Sequence, residues 1–166
     1  MILATDVHYT GTGATAAGVL FDDWPAARPA RCVASRIAQV ADYAPGLFYQ
    51  RELPCLLALL REHDLRPGCI VVDGYVYLDG RQRPGLGKHL FDALGGTVPV
   101  VGVAKSAFAG IGPGHEVRRG GSERPLYVTC AGMSLDTAKA CVASMHGGHR
   151  MPTLLRAVDQ LSREPG

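Results

Sequence analysis

The sequence predicts an α/β domain in which helices flank a mixed central sheet of about five strands. Three observations predict it. The chain opens with three strand-like runs separated by turn residues. An apolar stripe at helical spacing then feeds the run Cys69-Ile70-Val71-Val72, and a further short helix leads to Val98-Pro99-Val100-Val101-Gly102-Val103. Continuous apolar runs of this length suit strands buried on both faces, as in the middle of a parallel sheet.

Residues 2–9 have strand composition, and alternation places Ile2, Ala4, Asp6 and His8 on one side. The turn Thr10-Gly11-Thr12-Gly13 joins this strand to a small-residue strand over 14–21, which reads as a hairpin. A loop with Pro25 and Pro29 leads to a third strand from residue 31 to about 40. Tyr43-Ala44-Pro45-Gly46 breaks the pattern. Pro54 suits the first turn of a helix carrying Leu53, Leu56, Leu57 and Leu60 on one face, which puts Glu52 just ahead of it. The central strand ends at Asp73-Gly74, and a short helix over 86–94 precedes the strand that ends before Lys105. Residues 126–129 read as a returning strand. Ser134 caps a helix with its body over 137–145, and the last helix covers 152–161 with Leu154, Leu155, Val158 and Leu161 on its apolar side.

Composition narrows the function. A chain of 166 residues, 47% hydrophobic and 19% charged, is neither disordered nor membrane-spanning, and residues 1–166 read as a single domain. The odd count of five cysteines, with no C-x-x-C pair, points to reduced thiols in a cytoplasmic protein and away from a zinc knuckle; the N-terminus shows no signal peptide. A net charge of +2 does not by itself imply nucleic acid, but basic residues cluster at 81–88, 118–124 and 150–156. A monomer is expected.

Three strands followed by alternating helix and strand, with acids ending the first and fourth strands, is the order of a ribonuclease-H-like fold. There Asp6 and Asp73 share one crevice at the carboxyl ends of neighbouring parallel strands. Two adjacent carboxylates repel, and a divalent cation relieves that repulsion while serving phosphodiester hydrolysis as a Lewis acid. Oxygen ligands without thiolates favour Mg²⁺ or Mn²⁺. Glu52 supplies a third acid and Lys105 a cation for a phosphate; His8, His89 and His115 read as structural or surface residues rather than ligands.

The ordered set Asp6-Val7-His8-Tyr9, Tyr43-x-Pro45-Gly46 with Arg51-Glu52-Leu53-Pro54, Val72-Asp73-Gly74, Gly85-Leu86 with His89, Gly102-Val103-Ala104-Lys105, Tyr127-Val128-Thr129, Met133-Ser134-Leu135 and Arg150-Met151-Pro152 resembles the endonuclease V family. That family recognises deaminated purines, chiefly hypoxanthine, and cuts one phosphodiester beyond the lesion on its 3′ side. The resemblance implies Asp6, Glu52 and Asp73 as metal-binding acids and Lys105 as a catalytic-site lysine. It makes Tyr43-Ala44-Pro45-Gly46 a wedge between the strands while the base is extruded, and starts the lesion pocket at Gly74. Arg51 and His89 belong to the same nucleic-acid-facing motifs.

The chain departs from the family at two places. Relatives carry Ser-x-Gly-His ahead of Met-Ser-Leu, and that His is expected to complete the metal site. Here Ala131 occupies the place, leaving Asp136, His146 and His149 as candidate replacements. Relatives also carry a second glycine after Val-Asp-Gly and a His-Pro-Arg; Tyr75-Val76-Tyr77-Leu78-Asp79-Gly80-Arg81 stands here, and Val76 is expected to narrow a purine pocket. The resulting expectation is an endonuclease of reduced activity on deaminated DNA or inosine-containing RNA. The alternatives are a nucleic-acid-binding protein that no longer cuts, and a hydrolase of the same fold with a changed substrate.

Overall fold

The computed structural model describes residues 1–165 except Tyr43 and Gly46. Seven strands form one sheet: β1 (Ile2–Thr10), β2 (Gly13–Phe21), β3 (Arg31–Ile37), β4 (Cys69–Asp73), β5 (Val100–Ala104), β6 (Glu116–Val117) and β7 (Leu126–Ala131), in the order β3-β2-β1-β4-β5-β7-β6. The count exceeds the expected five or so because β6 has only two residues, too few for any period to be read from sequence, and because the run from 126 pairs fully with β5.

The three opening strands form the antiparallel meander the sequence predicts, and β1, β4 and β5 are parallel neighbours. Their carboxyl ends therefore open on one edge of the sheet. On one face α1 (Tyr49–Glu62) and α2 (Leu86–Ala93) pack on Leu3, Ile70 and Val72. On the other, α3 (Leu135–Ser144) and α4 (Thr153–Ser162) pack on Ala4, Val71 and Val103. The small residues of β2 allow this closeness: a side chain at Gly18 would come within 2.9 Å of Leu3 Cδ1 and 3.2 Å of Leu59 Cδ2. Among the described residues no helix is long and apolar enough to cross a membrane.

Helix α1 begins five residues before Pro54 rather than at it, which places Glu52 inside the first turn. Pro54 lacks the N–H that would bond to the Gln50 carbonyl, a loss that normally ends a helix. Burial of Cys55, Leu56, Leu59 and Leu60 on one stripe offsets it. Ser134 caps α3 as predicted, its Oγ accepting from the Thr137 N–H at 3.2 Å.

Candidate active site

Asp6 and Asp73 meet at the common edge because β1 and β4 run parallel and side by side. The cleft there is lined by Thr5, Asp6, Asp73 and Lys105 from the strand ends, and by Met151, Arg156 and Asp159 from the opposing segment, over an apolar floor that includes Val71 and Val103. Asp6 is 9% exposed and its Oδ1 accepts from the Val7 N–H at 2.9 Å. Gly74 takes φ +120°, a conformation that favours glycine, and its N–H bonds to the Val103 carbonyl at 3.0 Å; this lets the chain turn sharply away just after Asp73. Tyr75 ties the loops behind Asp73 and Lys105 together, its hydroxyl donating to the Ser106 carbonyl at 2.6 Å and accepting from the Phe108 N–H at 3.0 Å.

Glu52 reaches the strand ends from the α1 side of the sheet. It is 6% exposed, and its Oε2 is buried with no hydrogen-bond partner among the described residues. Burial, then the charges of Asp73 and Asp6, push its carboxyl up to about 8. Asp6 is pushed up to about 7 by burial, by a hydrogen bond with the Asp159 carboxyl and by the charge of Asp73. Burial pushes Asp73 up as well and Lys105 pulls it back; the side chain is exposed at the cleft mouth, where solvent screens both effects.

The fourth acid is one the sequence reading missed. Asp159, on α4, meets Asp6 within hydrogen-bonding reach. Burial acts to raise its pKa but is outweighed by the hydrogen bond from Asp6 and by Arg163, whose Nε donates to Asp159 Oδ1 at 3.1 Å, so its pKa is lowered. The two carboxyls are thus shifted in opposite directions, Asp6 up and Asp159 down. The legible signal was the break in the apolar stripe of the last helix: Leu155, Asp159 and the buried Ser162 follow at four- and three-residue steps and so share one face. Ser162 Oγ lies 3.4 Å from Asp6 Oδ2.

The expected vacancy at Ala131 has a topological answer. β7 runs antiparallel to β5, so Ala131 pairs with Val100 while Tyr127 pairs with Ala104. Ala131 therefore lies at the end of β5 away from the cleft, about 13 Å along the strand from Ala104. A histidine there could not reach Asp6. Asp136, exposed at the start of α3, follows at that same far end. His146 is occupied with Thr153 Oγ1 at 3.0 Å, and His149 lines a neighbouring groove rather than the cleft.

Val76 lines neither the cleft nor the groove beside α4. It is 0% exposed and packs against Gly87, where any side chain would come within 2.5 Å of Val76 Cγ2; its N–H donates to Thr129 Oγ1 at 2.8 Å. Asp79, beside the place where relatives carry His-Pro-Arg, instead accepts backbone N–H bonds from Arg81, Gln82 and Arg83, which hold its carboxyl down at about 2.

Of the nucleic-acid-facing candidates, Tyr43 and Gly46 lie outside the described residues. Ala44 is half-buried and Pro45 exposed, followed by the exposed Leu47 and Phe48. Arg51 stacks its guanidinium 4.1 Å over the Tyr9 ring, and His89 stacks on Tyr49 at 3.6 Å. Arg150 donates to the Lys105 carbonyl and, at 2.7 Å, to that of Pro125, so the closing Arg-Met-Pro motif fixes the lysine's backbone to the segment that leads into α4.

Four carboxyl groups facing one edge, three of them raised by burial with the charges of their neighbours adding for Asp6 and Glu52, and one with an oxygen that has no partner among the described residues, suit a divalent cation. Among the described residues, however, no three acid, His or Cys side chains stand close enough to enclose one directly. That spacing suits an ion that keeps several waters, such as Mg²⁺.

Asp6 does not end its strand as the sequence suggests: β1 stays paired with β2 to Thr10, and Asp6 lies just past the point where its pairing with β4 stops, beside Asp73 at the end of β4. A mixed sheet of this order with its acids so placed defines a ribonuclease-H-like protein. The family model described as Endonuclease V matches residues 1–119, and the chain belongs to the endonuclease V family. It is 33% identical to the endonuclease V of Streptomyces avermitilis over 141 residues, covering 73% of this chain and 60% of that one. Against the endonuclease V of Geotalea uraniireducens it is 30% identical, with 98% and 76% covered. The chain thus spans about three fifths of the length of the Streptomyces relatives. The crystal structure of the Streptomyces avermitilis endonuclease V superposes with a TM-score of 0.78 at 30% identity, covering 98% of this chain and 79% of that one. An endonuclease V of Ciona intestinalis, in complex with a DNA containing an inosine, shares the fold at 22% identity, with a TM-score of 0.76 and 98% and 83% covered.

Proposed function

We propose that the protein is a divalent-metal-dependent endonuclease that hydrolyses a phosphodiester on the 3′ side of a deaminated purine, hypoxanthine or inosine, in DNA or RNA. The observation that carries this reading is the orphaned Glu52 Oε2, buried beside the charges of Asp6 and Asp73: an uncompensated carboxylate cluster is costly unless a cation resolves it.

Asp6, Glu52 and Asp73, with Asp159 as a fourth acid, would hold Mg²⁺ or Mn²⁺. When bound, such an ion supplies Lewis-acid polarisation of a phosphate and a more acidic water. The chain's own part is electrostatic and positional. Lys105, exposed at the mouth beside Asp73, offers a cation to the scissile phosphate, and Arg150 steadies its backbone. Ala44 and Pro45, with Tyr43 and Gly46, form the wedge. The turn at Gly74 presents backbone to an extruded base. Arg51 and His89, each held by an aromatic ring, back the wedge segment.

The test is cleavage of end-labelled single-stranded DNA and RNA oligonucleotides, each with one inosine, in Mg²⁺ and in Mn²⁺, with Asp73→Ala as the control. Cutting 3′ to the inosine that vanishes in the control is the expected result. Absence of cutting together with salt-sensitive binding would replace this reading with a non-cutting binding protein.

A further inference from the structure

The cleft does not stop at Asp159. Met151 and Arg156 line both the cleft and an adjoining groove on the outer side of α4, whose other walls are His149, Thr153, Ala157 and Gln160. Thr153, Arg156, Ala157 and Gln160 follow at steps of three, one and three residues, so they form one stripe about 10 Å long on a single helical face. The cleft offers about 60 Å³, too little for a nucleotide, whereas the groove offers about 260 Å³.

The balance of charge changes across Arg156. On the cleft side three acids, Asp6, Asp73 and Asp159, stand against Lys105; among the described residues that line the groove none is acidic, and Arg156 and Gln160 are exposed. In the cleft a polyanion meets three carboxyls against the single Lys105, whereas in the groove it finds a guanidinium, an amide, a hydroxyl and an imidazole. Met151 and Ala157 supply apolar surface between them, on which a sugar or base can lie.

We propose that this groove carries the nucleic-acid strand where it leaves the cleft. Arg156 pairs with the phosphate at the junction, and Thr153 and Gln160 donate to the sugar-phosphate backbone beyond it. The proposal rests on the reading of the cleft as the cutting site, and it gives a role to the basic cluster at 150–156 that the cleft alone does not use. A backbone contact of this kind is indifferent to sequence and sensitive to salt.

Binding of fluorescently labelled single strands, measured by anisotropy across a salt series without added metal, tests the groove independently of cutting. Gln160→Glu and Ala157→Glu place a carboxylate on the stripe, and Ala140→Glu makes the same charge change on the exposed side of α3. The expected result is an affinity about tenfold weaker for each groove variant and unchanged for Ala140→Glu, with Arg156→Ala lowering the salt slope by about one ion. Shortening the strand from one end should abolish the difference between wild type and Gln160→Glu, and shortening from the other should not. Strands that bind Gln160→Glu as tightly as wild type overturn the proposal and leave the groove to a protein partner, as does a wild type that binds no strand. If the oligonucleotides are not cut but the groove variants still bind weakly, the cutting reading falls and the groove stands.

Discussion

Asp159 on the last helix comes within hydrogen-bonding reach of Asp6 on the first strand, with the Arg163 Nε donating to Asp159 and Ser162 beside Asp6. The chain's two ends are thereby joined at the cleft. Asp159→Ala should lower cleavage by about 100-fold or more, as removal of a site charge typically does, and weaken the response to Mg²⁺. Ala131→His on the Asp159→Ala background should restore nothing, because residue 131 pairs with Val100 at the far end of β5. Initial rates at rising Mg²⁺ check both; rescue by Ala131→His would contradict the topology.

The raised carboxyls make the metal-free fold pH-dependent with a definite sign. Asp6 rises from 3.8 to about 7 and Glu52 from 4.5 to about 8, so between these values the folded state binds more protons than the unfolded one. Stability is therefore fully present below the unfolded pKa values and is lost as pH rises through the folded ones. Thermal melts in EDTA should show Tm falling from about pH 5 to about pH 8, with a shallower fall in Asp6→Asn and Glu52→Gln, and Mg²⁺ should raise Tm most at the alkaline end. A Tm that climbs over this range would refute the assignment.

Val76 carries a separate expectation, because its side chain is buried against Gly87 and lines neither the cleft nor the groove. Val76→Ala should cost about 2 kcal/mol in denaturant unfolding, the usual loss for burying less of a branched side chain. It should not widen the range of bases tolerated. Improved cutting of a bulkier lesion by Val76→Ala would show the residue facing substrate after all.

What sequence alone disclosed follows from how each feature is encoded. Strands β4 and β5 announce themselves through continuous apolar runs and β1 through its strand composition and alternation, with Asp73 at the end of β4 and Asp6 within β1, so the centre of the sheet and two of its acids were legible. The position of Ala131 was not, because strand direction is a long-range property: only the antiparallel pairing of β7 with β5 tells which end of the sheet a residue occupies. Asp159 was hidden for a related reason. Polar residues on a surface helix usually face water; the break in the apolar stripe of α4 marks Asp159 as set on the inner face, but only the tertiary fold shows that this face meets Asp6, 153 positions earlier in the chain. The start of α1 was misjudged because proline normally opens a helix, and here tertiary burial overrides that preference.

Gly102 links the fold to the site most directly. It lies in β5 beneath the turn that follows Asp73, where a methyl group would come within 2.6 Å of the Gly74 carbonyl oxygen, 2.9 Å of the Val76 nitrogen and 2.9 Å of Thr129 Oγ1. Two of these atoms are backbone and the third accepts the Val76 N–H, so no flexible side-chain end can yield. Gly102→Ala must lift the 74–76 turn off the sheet, and Asp73 precedes that turn by one residue. Overpacking of this kind costs about 1 to 3 kcal/mol and displaces backbone. Cleavage should therefore fall further than the loss of stability explains, and the deficit should persist at temperatures where the variant is fully folded by circular dichroism. Thr129→Val, which removes the hydroxyl that holds the Val76 N–H without adding a clash, should reproduce a milder form of the same deficit. Full activity in a folded Gly102→Ala would separate the turn from the chemistry and show that Asp73 is held by β4 alone.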